Sequence, residues 1–184
     1  MRFTMRFETC LAAVLMLISL PVVAEEAPLA SHYGFKPVEL FKLSERSSLL
    51  LTGDARGDQV VDGLKQAGRL NGGTIEVDVL KVPHHGSENN IDSDFVEAVI
   101  ARDYVFCGNG FSENPNTKVI EMMFRRRRAA SPKPFRFWFN SSEAVSVNPK
   151  HMAKVETLVK SLAKTAKAQF TFRFLTKGSS MKIL

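Results

Sequence analysis

Cysteine is nearly missing from this chain. It occurs at Cys10 and Cys107 only. Cys10 falls inside the leader described below, so the rest of the chain holds one cysteine and no intramolecular disulfide. Redox compartment is therefore not legible from cysteine usage. Histidine is scarce as well, with four residues, His32, His84, His85 and His151. Internal repeats and low-complexity tracts are lacking, which excludes repeat architectures. No apolar run is long and uninterrupted enough for a stable membrane span. Hydrophobic residues are not short, at 45% of the chain, and that share excludes a disordered polymer.

Met1 to Ala24 reads as an export signal. Arg2 and Arg6 form a positive start, Leu11 to Leu20 is apolar apart from Ser19, and Pro21 breaks the run. Val22-Val23-Ala24 then precedes Glu25-Glu26. Removal of residues 1–24 leaves 25–184, enough for one domain with a sizeable core, in a periplasmic or secreted setting.

The net charge of +6 conceals an asymmetry. Residues 25–124 carry nine Lys and Arg against sixteen Asp and Glu, a balance of −7. Residues 125–184 carry fourteen against two, a balance of +12. An acidic half suits a metal site, and a basic half suits an anionic polymer such as nucleic acid.

Hydrophobic periodicity gives an α/β chain. Residues 25–37 form an extended arm punctuated by Pro28, Gly34 and Pro37. Strands are expected at 38–43 and 47–52, joined as a hairpin. A helix capped by Asp58 follows, with Val60, Val61, Leu64 and Ala67 inward, and then a strand over 74–82. A helix from Asp92 or Ser93 through Ala101 should bury Phe95, Val96, Val99 and Ile100. A strand at 104–107, a helix at 117–127, a strand at 135–139 and a helix from Pro149 to about 168 come next. A terminal hairpin of 170–175 and 180–184 closes the chain. Phe135, Phe137 and Phe139 read as core rather than as base-stacking platforms.

Two strands in this order end in polar, metal-capable side chains. Leu49 to Leu51 lead through Thr52-Gly53 to Asp54, and 74–82 leads through Pro83 to His84-His85-Gly86-Ser87. One crossover helix lies between them, so both ends fall on one edge of a parallel sheet, where open α/β sheets place their chemistry. Asp54 is either a turn or helix-capping aspartate or a carboxylate that reaches into a cleft and bridges cations, and zinc and manganese both accept carboxylate oxygen. Adjacent histidines on a strand point to opposite sides. At most one of them, with His84 preferred, is then a ligand, and the other orients it, contacts substrate or packs. Ser87 can hydrogen-bond a ligand. Lys81 is either a solvated strand lysine or a contact for an anionic substrate. Asn109 belongs to a loop that rims the cleft.

The pair Leu50-Leu51-Thr52-Gly53-Asp54 and Asp78-Val79-Leu80-Lys81-Val82-Pro83-His84-His85-Gly86-Ser87 resembles the second half of a metallo-β-lactamase-superfamily domain. It is closest to the hydrolase-like domain of competence DNA-uptake proteins. The resemblance spans roughly 47–121. It implies the second half of an αββα sandwich, a mixed sheet with flanking helices, and metal-dependent hydrolysis, of phosphodiesters among other bonds. It also implies Asp54 as the metal-bridging and catalytic carboxylate and one of His84 or His85 as a ligand to zinc or manganese. The family's first motif, His-x-His-x-Asp-His, is missing, and only His32 precedes Asp54. Asn114-Pro115 stands where relatives often carry His-Pro. The chain is then expected to bind metal weakly and to draw the other half-domain from a second copy or a partner chain.

The basic residues support a reading from another class, a secreted non-catalytic module that binds an anionic polymer. Arg125 to Arg128, Lys133, Arg136 and Lys150, Lys154, Lys160, Lys164 and Lys167 would form its surface. The plainer reading puts the arginines at a helix C-terminus, where the helix dipole favours cations, and the lysines on a solvated helix face. Asp58 and Asp62 are a cap and a solvated face.

Overall fold

The computed structural model describes residues 4–6, 39–44, 47–166, 168–177 and 180–182. The arm, His32 and nearly all of the expected leader lie outside these residues. Strand β1 (Thr4–Arg6) falls within the leader stretch and pairs with a strand near the other terminus.

A six-stranded sheet organises the rest. Strands β2 (Glu39–Ser44) and β3 (Ser47–Leu51) form the expected antiparallel hairpin. Beyond β3 come β4 (Ile75–Lys81), β5 (Val99–Phe106), β6 (Phe135–Phe139) and β7 (Phe170–Phe174). The spatial order is β2-β3-β4-β5-β6-β7, and β3 to β7 are all parallel. Helices α1 (Gly57–Gln66), α2 (Ser93–Ala98), α3 (Thr117–Ala130) and α4 (Pro149–Thr165) make the four crossovers. A sheet built in sequence order through right-handed crossovers carries all its helices on one face. The helices accordingly neighbour one another in chain order.

Their apolar sides share one core with Leu50, Leu80, Tyr104 and Phe137, which stand side by side across the sheet. Phe135, Phe137, Phe139 and Phe170 are almost fully buried there, and Phe139 stacks on Phe174 at 4.4 Å between ring centres. Each such ring contributes about 1.5–3 kcal/mol by leaving water.

Strand alternation turns Leu49, Val79, Val105 and Trp138 to the opposite face, and they are buried too. That face also holds the fully buried Asp103. Its carboxylate accepts from Arg136 Nε at 2.6 Å, Trp138 Nε1 at 2.7 Å and Arg102 Nε at 2.8 Å. The charge is paired and hydrogen-bonded, as a buried charge must be.

Three expectations are corrected. Val99 and Ile100 belong to β5 rather than to the preceding helix, because both are β-branched and pair with Ile75 and Glu76 of β4. The terminal hairpin does not form. Residues 170–174 pair in parallel with β6, which places Phe170 beside Phe135 and Phe172 beside Phe137. The last strand, β8 (Ser180–Lys182), pairs with β1. Asp58 is not the cap of α1. Arg56 holds that position, and Asp58 sits in the first turn, bound to the Arg56 guanidinium at 2.9 Å. Among the described residues no helix is long and apolar enough to cross a membrane.

Candidate metal-binding edge and cleft

The carboxyl ends of β3 and β4 meet as the spacing predicts. Leu51 lies beside Lys81 in parallel register. The next residue, Thr52, is fully buried and donates its hydroxyl to the Lys81 carbonyl at 2.7 Å. Gly53 then turns the chain in the left-handed region at φ 53°, which glycine adopts without steric cost. Its carbonyl is held twice, by Lys81 Nζ at 2.6 Å and by the His84 amide at 3.1 Å. The turn that delivers Asp54 is thus tied to β4 and to the histidine pair. Asp54 itself reaches solvent.

The histidines do not continue the strand. They sit in a 3₁₀ turn, Pro83–Gly86, with positive φ at both His84 (41°) and His85 (60°). Positive φ is uncommon for residues with a Cβ, and it clusters at functional sites. The turn aims His85 rather than the preferred His84 at the carboxylate. His85 Nε2 lies 3.7 Å from Asp54 Oδ1. His85 Nδ1 lies 3.0 Å from the Cys107 carbonyl. A carbonyl only accepts, so Nδ1 carries the proton, and Nε2 is the ring nitrogen on the Asp54 side. A backbone oxygen on one ring nitrogen orients the imidazole and leaves the other nitrogen to face a ligand. His84 Nδ1 is buried and has no hydrogen-bond partner among the described residues.

Lys81 is not a solvated strand lysine. Its side chain is 12% exposed, and its ammonium lies 3.9 Å from Asp54 Oδ1. Ser87 is buried and accepts from the Asn89 amide at 3.3 Å. Asn109 accepts from the Phe111 amide at 3.2 Å, which shapes the loop after β5.

That loop and the His turn enclose an open cleft of about 750 Å³ lined by both histidines, Ser87 and Asn109. Close backbone approaches build it. A Cβ on Gly86 would come within 2.8 Å of Pro115 Cβ, and one on Gly108 within 2.7 Å of the Asn114 carbonyl. The Asn116 amide donates to the Gly86 carbonyl at 2.9 Å, and His151 Nε2 lies 3.1 Å from the Pro115 carbonyl. The loop is therefore braced on both sides. Sequence reading missed Phe111 and Val147, which are 74% and 64% exposed on the rim. The glycines on either side of Asn109 were the available signal of a shaped loop.

Among the described residues no group of three His, Cys, Asp or Glu could hold a metal ion. Asp54 and His85 form a pair. The basic stretch is divided. Arg127 is buried and donates to the carbonyls of Ala101, Ser131 and Lys133. Arg136 is committed to Asp103, and Lys160 pairs with Glu156 at 3.0 Å. Arg128, Lys133, Lys150, Lys154 and Lys164 remain exposed. Comparison of the chain with protein-family models, curated proteins and solved structures finds no match.

Proposed function

We propose that this chain carries the second half of a metallo-β-lactamase-type αββα domain, with the Asp54–His85 edge as its share of a hydrolytic metal centre. The observation that carries the reading is the His85 geometry. One ring nitrogen is committed to the Cys107 carbonyl, and the other lies 3.7 Å from Asp54 Oδ1. The fold supports it as well. A parallel sheet buried on both faces needs a layer on each, and all four helices serve one face. The buried apolar residues on the other face, Leu49 beside Val79 and Val105 beside Trp138, suit a second sheet from the other half of such a domain.

Zinc or manganese bound between Asp54 and His85 would polarise a scissile group and acidify a bound water. The chain's own residues prepare the place. Cys107 fixes the His85 tautomer, Gly53 lets Asp54 turn outward, and Lys81 anchors that turn. Two ligands fall short of the three that a zinc site ordinarily takes from protein. The remainder comes from outside the described residues, from His32, a partner chain or a second copy. An exported hydrolase assembled from two halves accounts for both motifs and for the missing one.

Calorimetric zinc titration of the full chain tests this. Uptake of about one ion per chain, lost in Asp54→Ala and in His85→Ala but kept in His84→Ala, is the expected result. No uptake, or equal uptake by all three variants, removes the reading.

A further inference from the structure

The substrate portion that enters the cleft has its own chemistry. Among the described residues, Phe111 and Val147 are the exposed large hydrophobic side chains, and both stand on the rim of this one cleft. Single exposed apolar residues need no explanation, but a pair at one opening marks a contact surface. Phe111 is held out rather than left loose. Its carbonyl accepts from the Asn114 amide at 3.1 Å, and the Val147 amide is bound to the Asn109 carbonyl at 3.1 Å. Ser112 and Glu113, the two residues after Phe111, both take positive φ.

The lining contains no lysine or arginine, and it contains Glu88 and Glu113. The lysine nearest Glu88, Lys118, is paired with it at 3.0 Å. A polyanion entering here would meet Glu113 and a Glu88 carboxylate already paired with Lys118, with no lysine or arginine in the lining itself, so strongly anionic ligands are disfavoured. Polar recognition instead falls to carboxamides. Asn89, Asn90 and Asn114 line the cleft, and among the described residues their side chains make no protein hydrogen bonds. Each offers two donors and an acceptor.

We infer that the cleft takes an uncharged glycan, with the Phe111 ring against the apolar face of a sugar and the asparagines on its hydroxyl and acetamido groups. An aromatic platform beside neutral hydrogen-bonding groups fits a ring that is apolar on its faces and polar at its edges. The inference deepens the hydrolase reading and rests on it only for where the bond to be cleaved would lie, beside His85.

Binding is measured by calorimetry on the full chain in excess EDTA, so that metal plays no part. The probes are chitotetraose, a neutral acetamido saccharide, and inorganic polyphosphate. The expected result is chitotetraose binding weakened about tenfold by Phe111→Ala, with no Phe111-dependent binding of polyphosphate. Phe111 is exposed, so an unchanged melting temperature confirms that the variant is folded. No chitotetraose binding, or binding that ignores Phe111→Ala, overturns the inference. So does polyphosphate binding lost in Phe111→Ala. A dimer that dissociates in Phe111→Ala without any saccharide binding also overturns it, and assigns the rim to a protein interface. None of these outcomes bears on zinc uptake by Asp54 and His85, so the two readings fail separately.

Discussion

At the scale of single residues, backbone conformation does much of the positioning. Gly53 and Gly86 both take positive φ, but their surroundings differ. A Cβ at Gly53 meets nothing within 4 Å, while one at Gly86 would press on Pro115 at 2.8 Å and Phe106 at 3.2 Å. Gly53→Ala should cost about 1 kcal/mol from backbone strain alone. Gly86→Ala adds a steric clash and should cost about 2–4 kcal/mol. Urea denaturation of the two variants checks the order, and equal losses would show that the Pro115 contact is not restrictive. The position of Asp54 just past the end of β3 was legible from the apolar run that precedes it. The choice between His84 and His85 was not legible. Strand alternation is a rule for extended backbone, and these two residues leave the strand through left-handed φ values that the dipeptide does not announce.

At the scale of elements, boundaries followed tertiary pairing where it competed with local pattern. Val99 and Ile100 continue the apolar spacing of α2, yet β4 offers them a parallel ladder, and the helix stops at Ala98. The alternating run Phe170–Phe174 matches a hairpin strand by composition, but its phenylalanines are drawn into the aromatic ladder beside β6. Burial at one position in four decides the role of the arginine stretch. Arg127 donates to the Ala101 carbonyl of β5 and to the Ser131 and Lys133 carbonyls just after α3, and it lies over the Phe135 ring at 5.1 Å. Helical spacing from Ile120, Met123 and Phe124 puts Arg127 on the buried face of α3, while Arg125 and Arg128 are exposed. Arg127→Met should destabilise the protein by about 2–4 kcal/mol, because buried carbonyls lose their donor. Arg128→Met should stay within about 0.5 kcal/mol. Thermal melts of both variants make the comparison, and a tolerated Arg127→Met would return that residue to the solvated surface.

At the scale of the whole molecule, the α/β class was readable from the alternation of strands and helices, whereas the second buried face of the sheet was not. The stability of the assembled core carries a pH signature. Burial pushes the Tyr104 hydroxyl up from 10.0 to about 12, against the opposing effects of the Ala101 amide and of Arg127 and Arg126. A raised folded value means that the neutral form is favoured by folding. That contribution is complete below pH 10 and is lost as pH rises through 12. Wild-type stability should therefore fall across this window by about 2–3 kcal/mol more than that of Tyr104→Phe. A parallel decline in the two proteins would mean that Tyr104 ionises freely. The metal edge is tested most directly by the imidazole nitrogen spectrum of the full chain with ¹⁵N-labelled histidine, recorded with and without zinc. In the metal-free protein His85 should show a protonated Nδ1, and zinc should shift Nε2 of His85 alone among the pair. An unshifted His85 Nε2, or a zinc shift confined to His84, would contradict the placement of the metal between His85 and Asp54.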